Sequence, residues 1–226
     1  MKAHLTDFHA HILPGLDHGS DSLQTSLKQL EMAAQIGIDT IVATSHFYPD
    51  RHNAGRFIEQ RAEALSELLA AAPAQAPKII PAAEVLLCEG MHNLPELDKL
   101  TIGNSKLILI EMPDPPWSNR VIEALELIEV KRGLRPILAH VDRYPVKAIK
   151  LLFAKGGKGQ INAGALCSLF KRRELINWCA QGRIVALGSD IHLLSDAYGY
   201  YKKSMHILGK HGDKLQAQMR ELLADS

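Results

Sequence analysis

Four side chains that can bind metal ions or exchange protons lie close together near the N-terminus. His9 and His11 are separated by one residue, and Asp17 and His18 follow within the segment TDFHAHILPGLDHGSDS, residues 6–22. Imidazole and carboxylate groups together suit Zn, Mn or Fe ions. Because the rest of this segment is typical of a strand followed by a loop, the cluster predicts a site rather than part of a core.

Residues of the same types recur later in the chain, at the ends of short apolar segments. DTIVATS, KIIPAAE, LILIE, RPILAH and RIVALGS are typical of strands that are buried on both faces. A residue able to bind a metal stands at or just after the C-terminal end of each segment. These residues are His46, Glu84, Glu111, His140, Asp190 and His192.

About seven such strands alternate with amphipathic helices, a pattern that predicts an α/β protein with a parallel sheet. The helices are expected from about Ser20 or Asp21 to Gly37, over 54–71, 118–133, 145–156 and 171–182, and from Ala197 onward with a break at Gly212. A doubly wound sheet and a barrel both fit this alternation. The ligand-type residues favour a closed or nearly closed barrel, because its C-terminal strand ends all meet at one face.

The number of these residues predicts more than one metal ion. Eight or nine ligands exceed what a single ion takes, so we expect two or three divalent ions, with Mn, Fe and Zn all open. Ions spaced ~3.5–4 Å apart can hold an attacking and a leaving oxygen together. The site therefore favours hydrolysis of a phosphoester.

Composition excludes several other classes of protein. The chain has 226 residues, 26 Lys and Arg against 25 Asp and Glu, and 46% apolar residues. This balance predicts no nucleic-acid partner, and no segment resembles a signal peptide or a membrane span. Three cysteines without a CxxC pair fit a reducing compartment. We expect one domain over residues 1–226, located in the cytoplasm and not inserted into a membrane; the oligomeric state is open.

The ordered motifs DFHAHILPGLDHG, VATSH, AAEV, LIEMP, LAHVDRY, INAGAL and GSDIH resemble the PHP (polymerase and histidinol phosphatase) superfamily. Within it, the chain is similar to the bacterial metal-dependent protein-tyrosine phosphatases of capsule and exopolysaccharide synthesis. The resemblance implies a distorted (β/α)7 TIM-like barrel, a trinuclear metal site, and a tyrosine kinase tail of polysaccharide export as substrate. It implies that Arg143 binds phosphate. The implied metal ligands are His9, His11, His46, Glu84, Glu111, His140, Asp190 and His192.

Two departures from the family pattern concern the first loop and the phosphate site. The family has two acidic residues before the loop glycine, the second a ligand, where this chain has Asp17 and His18. Either residue could bind a metal, and Asp17 could instead assist catalysis. The family also has a second arginine shortly after SDxH, which this chain lacks. Lys202 or Lys203 could substitute, but lysine cannot grip phosphate in a fork.

Three alternatives accompany the phosphotyrosine hypothesis. The enzyme could act on small phosphomonoesters, such as histidinol phosphate or a nucleotide. The chain could be a regulatory protein that keeps the metal site without turnover. Cys167 and Arg173 have the Cys-x5-Arg spacing of thiol-dependent phosphatases, although the segment between them lacks the glycine that such phosphate loops usually contain.

Overall fold

Seven parallel strands form the centre of the molecule in the computed structural model, which describes residues 4–224. The strands follow one another in the sheet in the order of the sequence, from β1 to β7, with helices between them. They are β1 Leu5–Ala10, β2 Ile38–Phe47, β3 Lys78–Leu86, β4 Leu107–Glu111, β5 Arg135–Leu138, β6 Lys158–Asn162 and β7 Ile184–Gly188. Sequential order with parallel pairing is the arrangement of a (β/α) barrel.

The helices begin where side chains cap their first turns. The side chains of Ser22, Asn53 and Ser118 each accept a hydrogen bond from the backbone N–H three residues ahead. The helices are α1 Leu23–Gln35, α2 Ala54–Ala71, α3 Asn119–Arg132, α4 Val146–Ala154, α5 Ala163–Leu166, α6 Leu169–Ala180, α7 Ala197–Leu208 and α8 Lys210–Leu222. Among the described residues, each helix is too short or too polar to cross a membrane.

The first and last strands meet through two backbone hydrogen bonds just beyond the end of β7. Asp190 N–H donates to the carbonyl of His9 over 2.8 Å, and His11 N–H donates to the carbonyl of Ile191 over 3.2 Å. Gly188 permits this approach, because a Cβ there would lie 2.4 Å from the Cβ of His9. The nearly closed, distorted seven-stranded barrel predicted from the sequence is confirmed.

Helix α8 supports the same junction from outside the barrel. The Gln216 side chain accepts a hydrogen bond from Thr6 N–H over 2.8 Å and donates to the Tyr201 hydroxyl over 2.9 Å. Leu187 N–H, in β7, lies 3.2 Å from the sulfur of Met219. One helix therefore binds both strands that border the opening of the barrel.

The predicted break at Gly212 was wrong by three residues. The C-terminal helices separate at Gly209, whose φ of 50° and ψ of −126° suit a glycine. Gly212 lies inside α8, where a Cβ would meet Met205 Cε at 3.0 Å and Leu208 Cβ at 3.1 Å. Its role is to let α8 pack closely against α7.

Candidate metal centre

Imidazole and carboxylate groups from six of the seven strands converge at the carboxyl mouth of the barrel. His9, His46, Glu84 and Glu111 lie within β1 to β4, and the other members follow β1, β5 and β7 by one to four residues. The eight residues brought together are His9, His11, His46, Glu84, Glu111, His140, Asp190 and His192. Groups as far apart in sequence as positions 9 and 192 therefore share one site.

The carboxylate of Glu84 lies at the centre of this group. Its Oε2 atom is 3.2 Å from His9 Nε2, 3.3 Å from His11 Nε2 and 3.1 Å from His46 Nδ1. Its Oε1 atom is 2.6 Å from His140 Nε2. Because its two oxygens face different histidines, Glu84 would hold divalent ions together with those histidines.

Three groupings of these side chains place one ligand atom each within 4.8 Å of one another. They are His11–His46–His192, His9–His11–Asp190 and His46–Glu84–Glu111. His192 Nε2 is buried without a hydrogen-bond partner among the described residues, and His46 Nδ1 is buried with Glu84 Oε2 3.1 Å away but outside hydrogen-bond geometry. Buried nitrogen atoms of this kind beside carboxylate oxygens fit divalent metal ions.

His140 and Asp190 reach the site from unusual backbone conformations. Their φ angles are 30° and 52°, in the left-handed region that side-chain-bearing residues rarely adopt. His140 N–H donates to Gln160 Oε1 over 2.6 Å, and Asp190 N–H is held by the His9 carbonyl. Such conformations persist where the surroundings fix them, and they are concentrated at functional sites.

Two amide side chains of β6 position the charged groups. Gln160 Oε1 lies 3.1 Å from His9 Nδ1, and Gln160 Nε2 donates to Asn162 Oδ1 over 3.0 Å. Asn162 Nδ2 in turn donates to Asp190 Oδ2 over 2.7 Å. Neither residue was predicted from the sequence. The alternation of polar side chains in GQIN was the available signal, because a fully buried strand is otherwise apolar.

Asp7 is a third residue that was not predicted from the sequence. Its buried carboxylate accepts hydrogen bonds from the backbone N–H of Ser189 over 2.8 Å and from the Ser189 hydroxyl over 2.5 Å. Burial raises the pKa of Asp7 to about 6, although the Ser189 hydrogen bonds oppose that rise. Asp7 thereby joins β1 to the segment that carries Asp190.

Asp17 contacts the site through His11. One carboxylate oxygen lies 2.8 Å from His11 Nδ1 and accepts from His46 N–H over 2.9 Å, while the other accepts from Gly19 N–H over 2.8 Å. Burial would raise the pKa of Asp17, but its hydrogen bond to His11 holds that pKa well below the usual range. An ionised carboxylate on the far nitrogen of a ligand histidine fixes the tautomer and the ring orientation.

His18 lies at the outer rim of the site. Its exposed ring stacks on those of His46 and His192, with centroids 4.7 and 4.6 Å away. Within the described part of the chain, the three groupings above include neither Asp17 nor His18. The predicted first-loop metal ligand therefore stays a prediction.

The charges in the site match cation binding. Burial would raise the pKa values of Glu84 and Asp190, but nearby histidines, His9 first, outweigh burial and hold both pKa values well below the usual range. Burial would lower the pKa values of His9 and His11. Glu84 and Asp190 nevertheless raise the pKa of His9, and Asp17, with Asp190 and Glu84, raises that of His11. Burial and the charge of His11 lower the pKa of His192 to about 4. The carboxylates and the imidazoles of His9 and His11 thereby favour each other's charged forms.

Arg143 stands at the edge of the same site. Its guanidinium forms an ion pair with the Oδ2 atom of Asp190, and about half of its side chain is exposed. A planar guanidinium with free donors at the mouth of a metal site can bind a phosphate in bidentate fashion. Lys202 and Lys203, by comparison, are exposed on α7, and Lys203 Nζ lies 5.4 Å from the centroid of the Tyr200 ring.

Cys167 lies between the short helix α5 and helix α6. Its carbonyl and that of Leu166 accept hydrogen bonds from the guanidinium of Arg172, the neighbour of the Arg173 that the Cys-x5-Arg spacing selects. Residues 163–166 and 169–180 are helical. The segment therefore differs from an open backbone loop that surrounds a phosphate beside a nucleophilic thiol.

Comparisons with known proteins agree with this geometry. A tyrosine-protein phosphatase YwqE of Bacillus subtilis is 25% identical over 236 residues, which cover 96% of this chain and 89% of that protein. A tyrosine-protein phosphatase CpsB of Streptococcus agalactiae is 26% identical over 171 residues, 70% of this chain and 68% of that protein.

A solved structure shares the fold. It comes from a study of YwqE from Bacillus subtilis and CpsB from Streptococcus pneumoniae, described as unique metal-dependent tyrosine phosphatases. Its TM-score is 0.73 at 24% identity, over 96% of this chain and 92% of that one. The family model for capsular polysaccharide synthesis, CpsB/CapC, matches residues 5–225. This protein therefore belongs to the CpsB/CapC family.

Proposed function

We propose that the protein is a metal-dependent phosphatase that hydrolyses phosphotyrosine in proteins. The observation that carries this proposal is the convergence of five imidazoles and three carboxylates around Glu84 at one mouth of the barrel. The relatives named as tyrosine-protein phosphatases support the same substrate class.

The metal ligands we propose are the eight converging residues, with His18 as a further candidate at the rim. Two or three divalent ions of Mn, Fe or Zn would supply Lewis-acid chemistry and neutralise the charge of a phosphoryl group. Asp17 and Gln160 orient His11 and His9 through the ring nitrogens that face away from Glu84. The catalytic role predicted for Asp17 is accordingly proposed in a narrower form, in which Asp17 positions His11.

Arg143 is proposed to bind the non-bridging oxygens of the substrate phosphate. Its present partner, Asp190, is one of the candidate ligands, so a bound phosphate would take over donors that now face that carboxylate. Positioning and charge neutralisation are the main contributions that a protein makes to phosphoryl transfer. The phenol of tyrosine leaves with a pKa of about 10, so it needs less protonation than an alkyl alcohol does.

The entrance of the site offers an aromatic surface suited to a phosphotyrosine. The Tyr48 ring stacks on His46 with centroids 5.2 Å apart, and the guanidinium of Arg51 lies 5.4 Å from the Tyr48 ring centroid. A tyrosine side chain whose phosphate reaches the metals would pass this surface. We propose a protein or peptide substrate, with the tail of a polysaccharide-export tyrosine kinase as the expected case.

The compartment is proposed to be the cytoplasm. Cys88, Cys167 and Cys179 are all free thiols, which persist in a reducing environment.

The test combines metal analysis with a substrate panel on one preparation. We expect bound divalent metal, hydrolysis of phosphotyrosine peptides in preference to small phosphomonoesters, loss of turnover on chelation and recovery with Mn or another divalent ion. His9→Ala and Glu111→Ala should abolish turnover, while His206→Ala, an exposed histidine of α7, should not change it. Turnover that survives complete metal removal would refute the mechanism.

The same panel separates the alternatives. Preference for histidinol phosphate or a nucleotide would indicate a small-molecule phosphatase of the same fold. Bound metal without turnover of any ester would indicate a regulatory protein.

A further inference from the structure

An open cavity of about 460 Å³ adjoins the metal centre on the side of β6 and α7. Its lining includes Arg143, Asn162 and Asp190 of the proposed phosphate and metal site, together with Lys171, Ser168 and Tyr200. A substrate phosphate bound by Arg143 would therefore also border this cavity.

Lys171 is the second cation that lines this cavity. Its Nζ atom donates to the carbonyl of Asp142 over 2.6 Å, and Asp142 directly precedes Arg143. An ammonium group has three donors. Within residues 4–224 that carbonyl is its one hydrogen-bond partner, so two donors stay available for a ligand.

The carboxylates that line the cavity are engaged elsewhere. Asp142 Oδ1 accepts a hydrogen bond from Asn162 N–H over 2.8 Å, and Asp190 is bound by Arg143 and Asn162. The carboxylate of Asp196 covers Gly199, where a Cβ would lie 2.2 Å from Asp196 Oδ1. The cavity therefore presents two cations to an anion, while its acidic groups have their own partners or face the first turn of α7.

The position after the GSDIH motif contributes no cation to the cavity. Ser195, Ala197 and Tyr200 line it from that segment, whereas Lys202 and Lys203 do not. Lys171 comes from α6 instead, which the Arg172 guanidinium fixes to the carbonyls of Leu166 and Cys167.

We infer that Lys171 supplies the second positive charge that binds the substrate phosphate, in place of an arginine after GSDIH. The ligand class is a phosphate monoester, held between Arg143 and the Lys171 ammonium. Because lysine is a compact point charge, it binds one phosphate oxygen and leaves the bidentate contact to Arg143. This inference rests on the proposed function and names a residue of its phosphate site.

The test uses the full chain loaded with metal and inorganic phosphate as the probe. Lys171→Met should weaken phosphate binding in calorimetry about tenfold, as expected for one hydrogen bond to a charged group. KM for a phosphotyrosine peptide should rise by a similar factor, and Lys171→Arg should restore both values. Lys202→Met and Lys203→Met remove the same charge outside the cavity and should leave both within about twofold.

The outcomes separate failure of the Lys171 inference from failure of the proposed function. Unchanged phosphate affinity in Lys171→Met, with an unchanged melting temperature, would overturn the inference, as would a larger loss in Lys203→Met. If Lys171→Met is unstable, Lys171→Gln provides the same comparison. A wild-type protein that neither binds phosphate nor hydrolyses phosphotyrosine would instead overturn the proposed function.

Discussion

Asp17→Asn separates a positioning role from direct catalysis. The carboxylate of Asp17 has three partners: one oxygen faces His11 Nδ1 and His46 N–H, and the other accepts from Gly19 N–H. Asparagine keeps the size of the side chain but replaces one oxygen with an NH2 donor. In either orientation of the amide, its NH2 group therefore faces another N–H donor at one of these contacts.

The size of the effect follows from these contacts. If the amide oxygen of the substituted side chain faces His11, the NH2 group of that side chain faces Gly19 N–H, so two donors meet. The negative charge that fixes the imidazole is also lost. A hydrogen bond to a charged group contributes about 1.5–3 kcal/mol, which corresponds to roughly a 10- to 100-fold change in affinity. The same range, about 10- to 100-fold, is typical when the partner of a ligand histidine is removed.

The assay measures metal affinity by titration and turnover at saturating metal. We expect Asp17→Asn to bind metal about 10- to 100-fold more weakly and to regain most of its turnover when metal is in excess. Asp21→Asn, the same change at an exposed carboxylate of the same loop, should alter neither quantity. A loss of turnover of more than about 10³-fold with full metal occupancy would instead identify Asp17 as a general acid or base.

Three further predictions concern the barrel junction, the thiol and the protonation of the site. Gly188→Ala should destabilise the protein by about 1–3 kcal/mol in thermal unfolding, since its Cβ would collide with His9, whereas Gly164→Ala should be close to neutral. Cys167→Ser should keep turnover within about twofold, because the proposed mechanism uses no thiolate; complete loss would favour a cysteine nucleophile. The metal-free protein should melt at a lower temperature at pH 8.5 than at pH 5.5. The folded-state pKa of His11 is raised, so the stability due to its protonation is lost as pH rises through that pKa. A melting temperature that stays constant or rises from pH 5.5 to pH 8.5 would contradict the raised pKa of His11.

The sequence predicted the features that depend on local pattern. Apolar segments such as LILIE and RIVALG are strands because β-branched and other apolar residues suit buried sheet positions, and Glu111 and Asp190 follow from where those strands end. The order of the strands and the convergence of ligands followed, because parallel strands direct their C-terminal ends to one face.

The features that the sequence did not predict depend on register and on distant contacts. Gln160 contacts His9 because the register of the sheet sets the relative height of β6 and β1 across the barrel. No local sequence pattern specifies that register. The left-handed backbone of His140 is likewise stabilised by Gln160, twenty positions away. The contact of Lys171 with Asp142 depends on how α6 packs, so the sequence at the start of that helix does not specify it.

The junction between β1 and β7 has a consequence for synthesis of the protein on the ribosome. His9 and His11 are made before Asp190 and His192, and the α8 residues Gln216 and Met219 that secure the junction are made later still. A nascent chain stalled before β7 would lack the partner strand that shelters its N-terminal histidines from solvent. Complete occupancy by metal should therefore require β7 and α8 and be absent from nascent chains that lack them.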